Sequence, residues 1–281
     1  LKCRHTETSF EYGVEVTVQD ADGNRFSSYW WDATPMLKDL NIKDCGEIAF
    51  KRAMSQIGPV KIESGKYSMV IESEVASRLV TPVLNALGGY SLQQKNSFML
   101  DSLGKKMFPE WLNIWDRPVS VGETGSRLFD SEGVATAEMP IVENGVVKEY
   151  FVNTYMSRKM GVEATVEDAT RPVVLPCFAP SVAEPVEATC GKVELMRIVG
   201  EGILVTGFNG GNSNSATGDF SFGVEGFLFK DGKIVHPVRE MLITGNLLTL
   251  WNNLLAAGND ARFCKSKLIP TLAFGNVDFS A

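Results

Sequence analysis

The 281-residue sequence predicts an α+β fold in which a mostly antiparallel sheet is interleaved with helices. Two observations support this class. Segments of alternating apolar and polar residues are joined by short turns rich in glycine and asparagine, which is typical of β-hairpins. Segments with apolar residues at helical spacing lie between these hairpins, and the sequence has no internal repeat at a fixed period.

The first sixty residues predict a hairpin and one helix. Residues 14–18 and 26–31 alternate in polarity on either side of a turn-forming segment. Asp44 followed by Glu47 is typical of a helix N-cap, and the apolar residues after this pair fit a short helix that ends before Pro59.

The next predicted unit is a strand that leads into a helix. Residues 67–71 are apolar enough for a buried strand, and residues 73–87 present one apolar face that ends at a pair of glycines. Pro82 lies inside this helix and lacks an N–H donor, so we expect a kink or an early break.

The remaining elements follow from turn and cap residues. Asn144 and Gly145 are a strong hairpin signal, and Asn153 and Gly161 fit the two ends of a short helix. Pro237 predicts an edge or a bulge in its strand. The predicted series is strands 137–142 and 146–152, helix 153–160, an irregular connection 170–189, helix 193–199, strands 203–208, 219–229 and 234–243, helix 246–257 and strand 268–274.

Composition argues against two classes of function, nucleic-acid binding and a role within a membrane. The net charge of −7 argues against direct binding to nucleic-acid backbones, which relies on clustered Lys and Arg. We expect no membrane segment, since no apolar run approaches the roughly 20 residues of a spanning helix and no signal peptide opens the chain. The five cysteines form no CxxC pair, which favours reduced, mostly buried thiols and a cytosolic protein.

The sequence contains few of the histidines on which catalytic triads and zinc sites depend. The sequence contains two histidines, His5 near the chain start and His236 in a strand, which does not suffice for a recognisable triad or zinc site. Ordinary surface or half-buried positions are the favoured interpretation of both. Asp101, Asp130 and Asp219 stand beside serines in the sequence. A structural role in turns that order the backbone is favoured for them over a catalytic role.

A glycine-rich segment spans residues 207–218. It lacks the residues of a P-loop or a dinucleotide fold, so nucleotide binding is disfavoured. A mobile loop that borders a peptide groove and a plain hairpin connection are both open interpretations. The groove candidates in and beside the segment are Gly207, Asn209, Gly210, Gly211, Asn212, Gly218 and Asp219.

Several separated blocks of sequence carry a family resemblance. They are FMLDSLG at residues 98–104, FDSEGV at 129–134, SRKMG at 157–161, and GDFSFGVEGF with DGKI, PVRE and ITGNL over 218–247. The chain resembles the TldD/PmbA family, and within it the PmbA branch, also called TldE. The match covers residues from about 12 onward and is weakest over residues 166–190.

The resemblance implies a lost metal site. In the TldD branch the strand-to-helix junction carries an H-E-x-x-x-H motif, whose histidines bind a catalytic zinc together with a cysteine. Aligned without a gap, this sequence has Glu72, Ser73 and Ser77 in place of the first histidine, the glutamate and the second histidine. We therefore expect no catalytic residues, no metal and no cofactor here. Favourable charge near a helix N-terminus is the preferred role for Glu72 and Glu74, ahead of weak cation binding.

The resemblance also implies domains, partners and a function. Residues 1–60 are expected to be the tail of an N-terminal domain that the chain otherwise lacks, and residues 61–281 a C-terminal domain. The implied role is a non-catalytic subunit that lines the peptide chamber of a complex with a TldD-like metallopeptidase and contacts unfolded peptide. Alone, the chain is expected to form a homodimer. One alternative is a homo-oligomer that modulates another machine, such as DNA gyrase, through protein contacts, and another is a peptidase with an unrecognised site.

Overall fold

A computed structural model describes Lys2, residues 4–182 and residues 190–281, so Cys3 and part of the predicted irregular connection lie outside the described residues. The strands in chain order are β1 (Phe10–Gln19), β2 (Arg25–Thr34), β3 (Gly65–Ile71), β4 (Ile114–Asp116), β5 (Met139–Glu143), β6 (Val146–Val147), β7 (Pro172–Val174), β8 (Cys177–Phe178), β9 (Glu201–Ser213), β10 (Asp219–Lys230), β11 (Lys233–Asn246), β12 (Leu254–Ala257) and β13 (Leu272–Ser280). The α-helices are α1 (Cys45–Ser55), α2 (Ser77–Ala86), α3 (Gly89–Gln93), α4 (Thr154–Met160), α5 (Lys192–Val199) and α6 (Leu247–Asn252), and a 3-10 turn spans Leu37–Asp39.

The predicted α+β class is confirmed, and most of its sheet is antiparallel. Strands β1 and β2 form the predicted N-terminal hairpin, and α1 packs on it. The predicted capping pair of α1 is wrong. Asp44 accepts the Ile48 N–H with its backbone carbonyl at 2.9 Å, while the Glu47 carboxylate lies 2.5 Å from Lys51 one turn later.

The main sheet has seven strands in the order β11-β10-β9-β3-β13-β12-β8. Strands β3 and β9 run parallel, and the other neighbours are antiparallel. Strand β11 also pairs with β13, where Leu242 lies opposite Ser280 and Thr244 opposite Asp278. Five strands therefore close into a ring. Pro237 lies beside a register shift in β11, as its missing N–H predicts.

A second sheet has the order β6-β5-β4-β7. The predicted hairpin between β5 and β6 is confirmed, with Asn144 and Gly145 at φ of 50° and 75°. Glycine is required at the second position, because an added Cβ would lie 2.2 Å from the Phe108 carbonyl oxygen.

The core joins both sheets through α2 and α6. Trp251 of α6 is fully buried and lies edge-on to Phe108 and Phe274, with ring centroids 6.4 and 5.5 Å away. Its indole N–H donates to the Leu79 carbonyl oxygen at 3.3 Å. This contact fixes α2 against the main sheet.

Several predicted elements differ from the structure. The strand over 146–152 ends at Val147, and the irregular connection over 170–189 contains the short strands β7 and β8. The helix over 73–87 begins only at Ser77, and Pro82 does not end it, because the residues after the proline are held in the core. The helix over 246–257 ends at Asn252 and continues as β12, and the last strand begins at Leu272 instead of residue 268. Residues 207–213 of the glycine-rich segment belong to β9, so the predicted mobile loop is wrong there.

Candidate functional site: the β3–α2 junction and its groove

The junction between β3 and α2 is a tight turn. Glu72 donates its backbone N–H to the Val205 carbonyl oxygen at 3.1 Å, which extends the β3–β9 contact by one residue. Its own carbonyl oxygen accepts the N–H groups of Val75 and Ala76 at 2.9 and 3.0 Å. These bonds turn the chain before α2 begins, so Glu72 and Ser73 precede the helix.

Glu72 is buried, with 4% of its surface exposed, and two cations surround its carboxylate. The Arg52 guanidinium from α1 donates to both carboxylate oxygens at 3.1 and 2.8 Å. The Lys192 ammonium at the start of α5 contacts one of the same oxygens. Burial alone would raise the pKa of Glu72, but the hydrogen bonds and charge of Arg52 and the charge of Lys192 hold it below its ordinary value.

Glu74 has its own pair of cations from the C-terminal part of the chain. Arg262 donates to one carboxylate oxygen at 2.7 Å, and the Lys265 ammonium lies 3.0 Å from the other. The Arg262 guanidinium stacks over the Trp30 ring of β2 at 4.3 Å and lies 3.8 Å from Asp32. The junction thus ties the N-terminal hairpin to the C-terminal residues.

These contacts change the interpretation of both carboxylates. We predicted favourable charge near a helix N-terminus for Glu72 and Glu74, but α2 begins at Ser77 and each carboxylate is neutralised by side chains from other elements. The sequence carried no signal for this arrangement, since Arg52, Lys192 and Arg262 are far apart along the chain.

A zinc ion does not fit this junction. Both oxygens of Glu72 are taken by Arg52 and Lys192, and the hydroxyls of Ser73 and Ser77 are poor replacements for the imidazole and carboxylate groups that zinc sites use. Counted with Asp32, three carboxylates face four cationic side chains. The local charge therefore repels a dication.

Beside the junction lies a groove with a volume of about 670 Å³, within the usual range for ligand sites. Its two walls are α2 and β9. Strand β3 pairs with β9 only as far as Val205 and then turns away at Glu72. From Thr206 to Ser213, strand β9 therefore has β10 on one side and no strand on the other among the described residues. Phe208, Asn212 and Ser213 of this stretch line the groove.

Aromatic side chains form the apolar part of the groove. Phe208 and Phe222 meet edge to face with centroids 5.6 Å apart, and Phe98 completes this surface. Ser77, the first residue of α2, also lines the groove, so the junction and the groove are continuous. The sequence gives no sign that these three phenylalanines share a groove, because their spacing fits core residues equally well.

The predicted groove residues fall in three places. Asn212 lines the groove. Asn209, Gly210 and Gly211 are exposed in β9, where Asn209 is the extra residue of a bulge, and Gly207 packs against the Glu225 side chain. Gly218 and Asp219 lie at the turn into β10.

Gly218 positions Phe98 from outside the groove. Gly218 is buried with φ of +80°, and a Cβ there would lie 3.1 Å from the Phe98 ring. The Phe98 N–H donates to the Ser215 carbonyl oxygen at 2.9 Å. Asp219 accepts hydrogen bonds from Asn246 and Thr217 at 3.0 and 2.7 Å, which hold its pKa below the ordinary value and order the turn. The structural interpretation of Asp219 is the one these contacts support.

Arg78, in the first turn of α2, is the charged residue of the groove. One of its N–H groups donates to the Gly211 carbonyl oxygen at 2.8 Å, and its guanidinium lies 5.0 Å from the centre of the Phe222 ring. The side chain thus spans the groove from α2 to β9. No feature of the sequence distinguished it from a solvated surface arginine.

Other candidate chemistry is not assembled in the described part of the chain. His236 is half-buried and its Nδ1 lies 3.3 Å from the Pro237 carbonyl oxygen, while His5 lies 3.9 Å from Glu7. Burial raises the pKa of the Cys177 thiol to about 12 and that of Cys190 to about 11. Among residues 4–182 and 190–281, no group of three or more His, Cys, Asp and Glu side chains could hold a metal ion.

The longest α-helix of the described residues, α1, has 11 residues, and none of the described helices combines the length and apolar character needed to cross a membrane.

The fold is that of a mixed α/β protein, mostly sheet with some helices. A model of the PmbA/TldA metallopeptidase C-terminal domain matches residues 64–281. The chain is 35% identical to the metalloprotease PmbA homolog of Haemophilus influenzae over 215 residues, which is 76% of this chain and 46% of that protein. It is 30% identical to metalloprotease PmbA of Escherichia coli O157:H7 over 263 residues, which is 91% of this chain and 56% of that protein. The chain belongs to the PmbA/TldD family, as the sequence blocks predicted.

Solved structures agree with this assignment. A protein of Bacteroides thetaiotaomicron, described as a proposed modulator of DNA gyrase, is 42% identical and superposes with a TM-score of 0.91 over 97% of this chain and 60% of that one. TldE of Thermococcus kodakarensis shares the fold, with a TM-score of 0.83 at 19% identity over 97% of this chain and 63% of that one. The chain spans about half the length of the curated relatives it matches.

Proposed function

We propose that this chain is a TldE/PmbA-like subunit without its own catalytic site, which pairs with a TldD-like metallopeptidase and lines the chamber that unfolded peptides enter. The observation that carries the proposal is the ion-paired Glu72. The family resemblance, aligned without a gap, puts Glu72 where the TldD branch has its first zinc-binding histidine, and both of its oxygens are engaged by Arg52 and Lys192.

The groove beside the junction supports a role in peptide contact. The side of β9 that faces the groove carries backbone groups over residues 206–213 without a neighbouring strand among the described residues. An extended peptide adds to such an edge through main-chain hydrogen bonds, with little demand on its sequence. This geometry suits a chamber wall for unfolded substrates.

The proposal includes the expected partners and compartment. The TldD-like subunit supplies the zinc and its chemistry, and this chain supplies surface. In its absence the chain pairs with itself through the surface around β10 and β11. The complex acts on peptide in the cytosol, without direct nucleic-acid contact.

Co-purification tests the proposal. The chain and a TldD-like subunit from the same genome are co-expressed with a tag on one of them, and the complex and each subunit are assayed with casein. We expect the two subunits to elute together and casein cleavage to require the TldD-like subunit. A chain that never co-purifies, or that cleaves casein alone and loses this activity on mutation of its own residues, refutes the proposal.

A second candidate function comes from the names of the solved neighbours. The Bacteroides thetaiotaomicron protein and a Thermotoga maritima protein of 26% identity are both described as proposed modulators of DNA gyrase. A homo-oligomer that contacts gyrase through protein surfaces is the corresponding alternative. Adding purified gyrase subunits to the same pull-down distinguishes the two, because this alternative requires gyrase to be retained in place of a TldD-like chain.

A further inference from the structure

We propose that the groove between α2 and β9 selects extended peptides that carry an acidic side chain, and that Arg78 is the residue that selects them. The inference rests on the proposed function, because it takes peptide as the ligand of this groove. It adds a preference within that class of ligand and a residue responsible for it.

The described residues of the groove carry one positive charge, that of Arg78, without an acidic side chain to neutralise it. Arg78 is exposed, and its contacts are with two neutral groups, the Gly211 carbonyl oxygen at 2.8 Å and the face of the Phe222 ring at 5.0 Å. Of the described residues that line the groove, Arg78 is the one with a charge, and none is acidic. At the adjacent junction, by contrast, Arg52, Lys192, Arg262 and Lys265 all contact carboxylates.

The position of Arg78 favours contact with a side-chain carboxylate of the peptide over contact with its C-terminal carboxylate. Its contact to Gly211 lies between Phe208 and Ser215, which both line the groove, so the guanidinium is placed partway along it. The contact occupies one carbonyl oxygen of this edge, so a peptide strand that follows β9 pairs with it on both sides of Gly211. A carboxylate that meets Arg78 there comes from an Asp or Glu side chain of the peptide.

The guanidinium has donors left for that carboxylate. An arginine has five N–H donors, and the contact with Gly211 uses one of them. The ring of Phe222 holds the planar group in place, and Arg–carboxylate pairs gain from such a fixed geometry. The half-buried rings of Phe98 and Phe208 offer apolar contacts to the residues that flank an acidic residue in the peptide.

The test uses the purified chain, calorimetry and peptides blocked at both ends that differ only at one central residue. We expect the Glu peptide to bind about fivefold more tightly than the Gln peptide, as for an exposed charge pair, and the Lys peptide to bind more weakly than both. The gain of Glu over Gln should shrink as salt rises from about 0.05 to 0.5 M. A Gln peptide with a free C-terminal carboxylate should not recover the gain.

Variants assign the preference to one residue. Arg78→Gln should bring the Glu and Gln peptides to equal affinity and leave binding of the Gln peptide within about twofold. Arg158→Gln, at an exposed position on α4 outside the groove, should keep the full preference. Circular dichroism melts of both variants report whether they are folded.

Four results overturn the inference: equal binding of the Glu and Gln peptides to the unmutated chain, a gain restored by the free C-terminus, a preference that survives in Arg78→Gln, or no peptide binding at all. The first comparison uses unmutated protein, so it holds even if the variant does not fold. Failure here leaves co-purification with a TldD-like subunit untouched, and failure of co-purification leaves an acidic preference intact, so the two proposals are separable.

Discussion

The guanidinium of Arg52 forms a two-pronged hydrogen bond to the carboxylate of Glu72, with N···O distances of 3.1 and 2.8 Å. Arg52 lies in α1 and Glu72 follows β3, so this one pair joins the N-terminal helix to the β3–α2 junction. The carboxylate of Glu72 therefore holds two separate elements together.

Glu72→Gln should lower the free energy of unfolding by about 2 kcal/mol, because it leaves Arg52 and Lys192 without their charge partner. This value is below that of a fully buried pair, since the Arg52 and Lys192 side chains are 22% and 42% exposed. Urea denaturation at pH 7 measures the change. Glu47→Gln is the matched control, because its pair with Lys51 is exposed and should leave the midpoint unchanged. Equal midpoints for both variants contradict the prediction.

Acid should remove the difference between the unmutated chain and Glu72→Gln. The folded-state pKa of Glu72 is lowered, so its contribution is complete above the ordinary glutamic-acid pKa of about 4.3 and is lost as the pH falls through the folded-state value. Asp116 acts in the opposite direction, since burial raises its pKa, but it is common to both proteins. Urea midpoints from pH 7 to pH 3 should converge, and a constant gap over this range would exclude Glu72 as the titrating group.

The sequence predicted the elements that local rules define. Asn144 and Gly145 specify their hairpin through backbone conformation, and Asn153 and Gly161 mark the ends of α4. The start of α2 is not predictable from local rules, because the turn before it is fixed by the hydrogen bond from Glu72 to Val205 of another strand. Residues 207–213 look like a loop because six of the seven are glycine, asparagine or serine, yet β10 supplies a partner strand that overrides this preference.

The sequence predicts which zinc-binding residue types the site lacks, but it does not predict which side chains surround Glu72 and Glu74. The missing histidines are visible in the sequence, whereas the cations around Glu72 and Glu74 come from α1, α5 and the C-terminal residues. Arg78 and Phe222 are 144 residues apart along the chain and meet only in the folded protein. Such pairs leave no periodic signal in a single sequence.

The protein should bind no zinc at the junction, because cationic side chains outnumber carboxylates there. After incubation with zinc and dialysis, elemental analysis should give a substoichiometric content, with a TldD-like subunit treated in parallel as the positive control. Glu74→Gln should leave the content as low as in the unmutated chain. One zinc per chain that disappears in Glu72→Gln or Glu74→Gln would overturn the ion-paired description of the site.

Gly218→Ala should destabilise the chain more than Gly161→Ala does. Both glycines have positive φ, +80° and +68°, so both substitutions carry a backbone cost of about 1 kcal/mol. A Cβ at Gly218 also meets the Phe98 ring at 3.1 Å, whereas the space around Gly161 is open among the described residues. Thermal melts give the comparison. Equal losses would show that Phe98 moves aside without cost.

The isolated chain should be a dimer in solution, and charges on β11 should weaken it. Ile234 and Val235 are 50% and 55% exposed in the region where we place the interface. Light scattering should give twice the chain mass for the unmutated protein and a smaller mass for Ile234→Glu combined with Val235→Glu. Val121→Glu, at an exposed valine of another surface, serves as the control. A strict monomer at high micromolar concentration would exclude self-pairing.

The closed ring of five strands has a consequence for synthesis on the ribosome. Lys66 of β3 and Asp278 of β13 are ion-paired neighbours 212 positions apart, and β11 also waits for β13. At typical translation rates β13 emerges about 10 to 40 s after β3. During that interval the nascent chain holds open strand edges that invite pairing with other chains. Protection by chaperones is therefore most valuable to this protein in the interval after β9 to β11 have formed and before β13 closes the ring.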